Sequence, residues 1–403
     1  MKIMDIFLGI FITYKLAISL EENFYLLGIL NMFTMFFLLV GNFGVENVLI
    51  RNRLFWENNK NEKIIYYQEL AFYVKNITSV FCIFISMILS YYYNFVKYKS
   101  DFLFLFIIFI FSAYIESQNN TCELLLIAKN KYKKVYFSKL VLNTLIKFFL
   151  VYFYKKKEIT FFLSLYALIP IFRFIYLKRF FILKKQNKFN LNMIFIELKK
   201  LKFYIFENYI RFFTKIGDQF LVSIFFSSQV LSTYSLIKNL ENVGLAFIGT
   251  VFDPLIQKEV KNKSNIYLLN KNLNKINRDK NILVIIGIFL LFGYYFYANK
   301  LIQVFRFDKY LNFREQSLGL GVCLLIYLFL KVKNNCISLF FSPVYRIYNS
   351  FIVILILPCY FYISSSNIIF LRILYYICYF FIINFIFYKN GGNLSEKNIY
   401  NDV

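Results

Sequence analysis

Runs of about 17–25 mostly apolar residues, the length that lets an α-helix cross the hydrocarbon of a bilayer, recur from one end of this chain to the other. They fall near 3–20, 24–43, 71–93, 102–127, 135–153, 160–177, 204–227, 230–256, 281–299, 317–341, 346–364 and 367–388. No other stretch is long and polar enough to build a separate soluble domain, so the 403 residues go almost entirely into membrane helices and short loops. Composition agrees: 59% of the residues are hydrophobic and 22% aromatic, and the mean hydropathy is +0.56. A water-soluble chain of this size needs a more polar surface. The first run is followed by a second after only a few residues and lacks a small-residue cleavage site, so it reads as a retained helix and not a signal peptide.

Several chemistries drop out. With no His, imidazole metal sites, His general bases and His proton relays are absent. The cysteines at 82, 122, 323, 336, 359 and 378 lie in or beside apolar runs without CxxC spacing and read as small core residues. No Gly-rich phosphate loop is present, so this chain carries no ATPase motor. No metal or cofactor is expected. The abundance of Lys, Asn, Ile, Phe and Tyr reads as compositional drift, which weakens arguments from single Lys or Asn residues. The net charge of +25 fits the excess of Lys and Arg in the cytoplasmic loops of membrane proteins better than it fits nucleic-acid binding.

Loop charge then orients the spans. With the N-terminus inside, the cytoplasmic loops are 51–70, 128–134, 178–203 and 257–280, the last two carrying eight and seven basic residues. The opposite loops, "EEN" at 21–23, "SSQ" at 227–229 and "SSS" at 364–366, are short and poor in charge, although 154–158 and 300–315 run against the trend. The cytoplasmic side leads by about three to one in Lys and Arg, which places both termini in the cytoplasm.

The expected architecture is an all-α integral membrane protein of about twelve helices in two six-helix bundles. An N-terminal bundle covers 1–178, a basic cytoplasmic connector 179–203, a C-terminal bundle 204–390 and a cytoplasmic tail 391–403. An internal repeat supports this division. Residues 24–53 can be laid over 233–262, with Tyr25 on Tyr234 and Phe43 on Phe252, and 124–140 over 338–354, both at an offset of about 210 residues. Six helices per half give both halves the same orientation, hence a pseudo-two-fold axis along the membrane normal and a cavity between the bundles.

Charged residues inside the spans carry the functional signal. Each costs at least about 2.5–3.5 kcal/mol at mid-membrane unless it faces partners or water. At 3.6 residues per turn, Glu207, Arg211, Lys215 and Asp218 share a sector of about 80° on the seventh span. Ser112, Glu116, Asn119 and Glu123 repeat at intervals of 4, 3 and 4 on the fourth span, as do Lys331, Asn335, Ser338 and Ser342 on the tenth. Lys139, Asn143 and Lys147 form a stripe on the fifth span, and Ser235, Lys238, Asn239 and Asn242 one on the eighth. Such stripes suit a water-accessible substrate or ion path. Other readings stand beside it: Lys15, Lys75 and Lys147 as snorkelling residues near helix ends, Ser and Asn as glue between helices, and the seventh-span charges as a structural ion-pair ladder.

The stretch 21–53, with Glu22, Tyr25 and Gly28, an apolar helix, then Phe43–Gly44 and Arg51, resembles the start of Wzx-type O-antigen or polysaccharide flippases of the multidrug/oligosaccharidyl-lipid/polysaccharide (MOP) exporter superfamily. Asp218, Tyr234, Ser235 and Pro254 are similar to that group's pattern in the second half, with Ser232 standing where a Gly commonly precedes the Tyr. The resemblance implies a flippase that carries an undecaprenyl-pyrophosphate-linked oligosaccharide from the cytoplasmic to the periplasmic leaflet of a bacterial inner membrane. It also implies membrane lipids, and a polysaccharide polymerase and chain-length regulator, as partners. For such a cargo Arg211, Lys215, Lys238, Lys139, Lys331 and Asn239 are the candidate substrate-binding residues, and Asp218, Glu207 and Glu116 the candidate ion carriers. The rivals are a membrane enzyme, either an O-antigen polymerase or a lipid-dependent glycosyltransferase, and a drug or small-solute exporter of the same superfamily.

Overall fold

The computed structural model describes residues 2–41, 61–97, 102–128, 131–154, 158–180, 195–196, 198–199, 202–260, 266–340, 359 and 368–389. Every described span is helical, at the place the apolar runs predict. In chain order these are α1 (Lys2–Leu20), α2 (Tyr25–Leu39), α3 (61–97), α4 (Leu103–Ala128), α5 (132–153) and α6 (Ile159–Lys178). They continue with α7 (202–225), α8 (Ser228–Val260), α9 (Ile266–Val304), α10 (Phe313–Phe340) and α11 (Ile368–Lys389). The eleventh apolar run, 346–364, lies outside the described residues apart from position 359. The protein is an all-α membrane protein. Eight of its helical stretches among the described residues are long and apolar enough to cross a bilayer; α7 and α8, which carry the most intramembrane charge, are not among them.

The chain divides into two compact units, Met1–Ile224 and Phe225–Val403. The boundary lies one helix beyond the connector at 179–203, because α7 finds its neighbours in the first unit. Phe212 packs its ring against Phe36 of α2 at 5.6 Å, and Ser223 shares a 2.7 Å hydrogen bond with Tyr93 of α3.

Within each unit the helices pack in the same order. In the first, α4 lies at the centre against α2, α3 and α6; in the second, α10 takes that place against α8, α9 and α11. Helix α4 follows α2 and α3 as α10 follows α8 and α9, so the two units share one order of packing. Small residues let the second unit close up, as membrane helices require when no hydrophobic effect pulls them together. A Cβ on Gly319 of α10 would lie 2.3 Å from Ile369 Cγ1 of α11. The outer faces are apolar: α9 exposes Ile285, Phe289 and Leu290, and α3 exposes Val80, Phe81 and Phe84.

Three helices of the first unit are not uniformly α-helical. A π segment occupies Tyr92–Lys97 in α3, Leu140–Leu145 in α5 and Phe213–Gly217 in α7. Each widens the hydrogen-bonded turn by one residue and shifts the helical phase by about one position. The turns between helices are tight. Glu21, between α1 and α2, has φ of 47°, and the α9–α10 link turns at Arg306 and Asn312 with φ of 56° and 51°.

Candidate functional site

Two buried ionic clusters stand out, one in each unit. In the first unit, α4 turns the stripe of Ser112, Glu116, Asn119 and Glu123 toward α6. The 4, 3, 4 spacing keeps one face of an unbroken α-helix in register. The partner it meets is Arg173. Its Nε donates to Glu123 Oε1 at 2.9 Å and its Nη1 to Glu116 Oε1 at 2.6 Å, while Nη2 also bonds Glu123. Asn119 Nδ2 donates to Glu116 Oε2 at 3.2 Å and to the carbonyl of Pro170 at 2.9 Å, one turn before Arg173. From α5, Lys139 Nζ reaches Glu123 Oε2 at 2.9 Å, and Lys147 lies 4.8 Å from the Tyr166 ring of α6. Arg173 and Glu123 are almost wholly buried, whereas 24% of the Glu116 side chain and 43% of the Lys139 side chain are exposed.

In the second unit the centre is Glu241 of α8, which is 1% exposed. Arg372 of α11 grips it with both arms of its guanidinium, Nε to Oε2 at 2.9 Å and Nη2 to Oε1 at 2.7 Å and Oε2 at 2.6 Å. Tyr376, one turn further along α11, donates its hydroxyl to Oε1 at 2.5 Å. Lys238, one turn earlier on α8, stands 3.5 Å from Oε2. The fork-to-carboxylate geometry is the strong, directional form of an ion pair.

The interiors of the two units differ in charge. Among the described residues, the buried charged side chains of the first unit are Glu69, Glu123 and Asp218 against Lys75 and Arg173. Those of the second are Glu241 alone against Lys238, Lys280, Lys331 and Arg372. Lys280 is held by neutral groups, Asn277 Oδ1 at 2.6 Å and the carbonyl of Phe329.

The structure thus brings Glu116 and Lys139 into one network and puts Lys238 into the other. Lys331 is 5% exposed, with its ammonium 5.6 Å from the Tyr327 ring; Asn239, beside Lys238 in sequence, is half-buried. Of the charged face expected on α7, the described side chains Lys215 and Asp218 differ in burial. Asp218 is 4% exposed, with Oδ1 accepting the Gln219 N–H at 2.7 Å, while Lys215 is exposed. The π segment Phe213–Gly217 lies between Arg211 and Asp218 and turns the helix out of phase, so one period of 3.6 does not run through it. Glu207 and Arg211 have side chains outside the described residues. Lys75 does not snorkel: it is fully buried and donates to Ser117 O at 2.6 Å and Thr121 Oγ1 at 2.5 Å on α4.

Sequence reasoning missed Arg173, Glu241, Arg372 and Tyr376 as site residues. The signal was present. Arg173 and Arg372 are the lone charges in the apolar runs 160–177 and 367–388, and a lone arginine inside a span demands a partner. Glu241 stands at i+3 from Lys238, on the same helical face.

A separate apolar cavity of about 640 Å³ opens between α5 and α6, lined by Phe149, Phe153, Tyr154, Phe161, Phe162 and Leu165. Its exposed Phe149, Phe153 and Phe161 mark it as part of the lipid-facing surface.

No family model matches this chain, and no curated protein matches it in sequence. Among solved structures it is similar to one described as the inward-facing conformation of a multidrug resistance MATE family transporter of the MOP superfamily. The likeness covers 97% of this chain and 96% of the other at a TM-score of 0.58, with 10% sequence identity. At that identity the two share a fold. The chain shares the fold of that transporter.

Proposed function

We propose that this protein is a flippase that moves an anionic lipid-linked oligosaccharide, an O-antigen or similar repeat unit on an undecaprenyl pyrophosphate carrier, across a bacterial inner membrane by alternating access. One observation carries the reading: among the described residues, the interior of the second unit holds four buried cations and a single carboxylate. Excess positive charge is costly in a low-dielectric interior unless an anion visits it, and a pyrophosphate head group is such an anion. Arg211, Lys215, Lys238, Lys139, Lys331 and Asn239 remain the candidate contacts to the head group and its sugars, joined now by Arg372. Asp218, Glu207 and Glu116 are the candidate ion carriers, and Glu116 is the one set against Arg173 with part of its side chain exposed. The sequence resemblance to polysaccharide flippases and the transporter fold both support this reading. Membrane lipids, a polysaccharide polymerase and a chain-length regulator are the partners it implies.

The fold neighbour's description as a multidrug transporter favours a second reading, export of small drugs. One experiment separates the two. Deleting the gene in its own bacterium is expected to abolish surface polysaccharide and leave lipid-linked oligosaccharide in the cytoplasmic leaflet, with rescue by the wild-type chain but not by Arg372→Met or Lys238→Met. Unchanged polysaccharide together with new drug sensitivity in the deletion strain refutes the flippase.

A further inference from the structure

The Glu241 cluster has one carboxylate facing two cations on different helices. Arg372 reaches it from α11 through three contacts of 2.6–2.9 Å, and Lys238 reaches it from α8 at 3.5 Å. The two grips are unequal. The guanidinium holds the carboxylate in a close fork, whereas the ammonium stands at the outer limit of an ion pair, one helical turn away on the carboxylate's own helix. All three side chains and Tyr376 are less than a tenth exposed, so any anion that joins them does so out of bulk water, where charge-assisted contacts are strongest.

We infer that Glu241 is a resident stand-in for the phosphate of the cargo: it occupies the Arg372 fork when the site is empty and yields that fork to an incoming phosphate. A carboxylate and a phosphate offer the guanidinium the same pair of coplanar oxygen acceptors, so the fork needs no rearrangement to exchange one for the other. The displaced carboxylate has a nearby home. A rotation of the Glu241 side chain toward Lys238 replaces the lost guanidinium by the ammonium at i−3 on the same helix. The charges then pair, one phosphate of the pyrophosphate with Arg372 and Glu241 with Lys238, so each cation keeps an anion beside it. In the empty state the same carboxylate keeps Arg372 aligned and prevents two bare cations from sharing a low-dielectric pocket. The arrangement also sets affinity. Every phosphate that binds must first displace Glu241, so the site holds its cargo more weakly than the bare fork would. A transporter benefits from that weakness at release.

This inference rests on the reading of an anionic cargo, and the experiment keeps the two apart. Inorganic pyrophosphate is titrated into the purified full-length protein in lipid nanodiscs, with binding followed by calorimetry. Glu241→Gln removes the competing charge and is expected to bind pyrophosphate about tenfold tighter than the wild type. Tyr376→Phe removes one of the donors that hold Glu241 in place and is expected to tighten binding by a smaller factor, about two- to fourfold. Lys238→Met removes the fallback partner and is expected to weaken binding several-fold, and Arg372→Met to abolish it. A purely structural ion pair predicts the reverse for Glu241→Gln, with binding absent or no tighter than in the wild type, and that result overturns the inference. Should Glu241→Gln fail to fold, Tyr376→Phe decides: unchanged or weaker binding overturns the inference equally. Tighter binding in these variants, alongside normal polysaccharide in the deletion strain, retains the stand-in and discards the cargo named above.

Discussion

Replacing Arg173 by Met is the most informative single test of how the first unit is held together. The change removes a guanidinium that makes two contacts to Glu123 and one to Glu116 and keeps a side chain of similar length. Glu123, 3% exposed at its side chain, is left with Lys139 at 2.9 Å on one oxygen and Ser138 Oγ at 3.5 Å on the other. Removing one partner of a buried ion pair costs about 3–5 kcal/mol, chiefly through the charge left behind. Because Lys139 stays, the expected loss lies near 3 kcal/mol. The companion change Glu123→Gln removes the stranded charge, so the double variant is expected to regain at least about 2 kcal/mol over the sum of the single changes. Unfolding of the purified full chain in detergent, for the wild type, both single variants and the double, gives this coupling directly. Additive effects, with coupling below about 0.5 kcal/mol, would refute a shared buried network.

Gly319→Val brings a Cβ within 2.3 Å of Ile369 Cγ1 and is expected to destabilise the second unit by about 1–3 kcal/mol; partial rescue by Ile369→Ala in the same unfolding assay checks the contact. Tyr93→Phe loses the 2.7 Å bond to Ser223 and is expected to cost about 1 kcal/mol, with no further loss when Ser223→Ala is added. Asp218→Asn keeps the oxygen that accepts the Gln219 N–H but removes the charge. It is expected to leave the unfolding midpoint near that of the wild type while lowering transport in proteoliposomes, and unaltered transport would count against a role for the charge at this position.

The features set by long apolar runs were legible. Their positions predict the described helices to within a few residues at most ends, although α9 runs on well past its apolar core at both of its ends, 266–280 and 299–304. The stripe on α4 was legible for the same reason: α4 is uninterrupted, so a constant 3.6-residue period carries Glu116, Asn119 and Glu123 to one face. On α7 a constant period does not run through the helix. The π segment at Phe213–Gly217 has no composition of its own that marks it, and it separates exposed Lys215 from buried Asp218. For Arg372 the sequence shows a lone charge but not its partner. Four residues into its helix, it reads as an interfacial anchor, and only the position of Glu241 on a different helix shows that it turns inward.

The two clusters also differ in what they can do with a single mobile charge. In the first unit, two carboxylates share Arg173, and one of them, Glu116, is partly exposed. Protonating that carboxylate leaves Arg173 still bonded to Glu123, so a proton can come and go without stranding a buried charge. In the second unit one carboxylate is shared by two cations, and all three groups are buried. Protonating Glu241 would remove the negative charge that both cations share, which is costly. Gaining an anion there relieves the excess. The first arrangement therefore tolerates a cation binding to its acid, and the second tolerates an anion binding to its bases. The function proposed above, a phosphate-bearing lipid moved at the expense of a cation gradient, would need both properties, and the two clusters that offer them lie in different units.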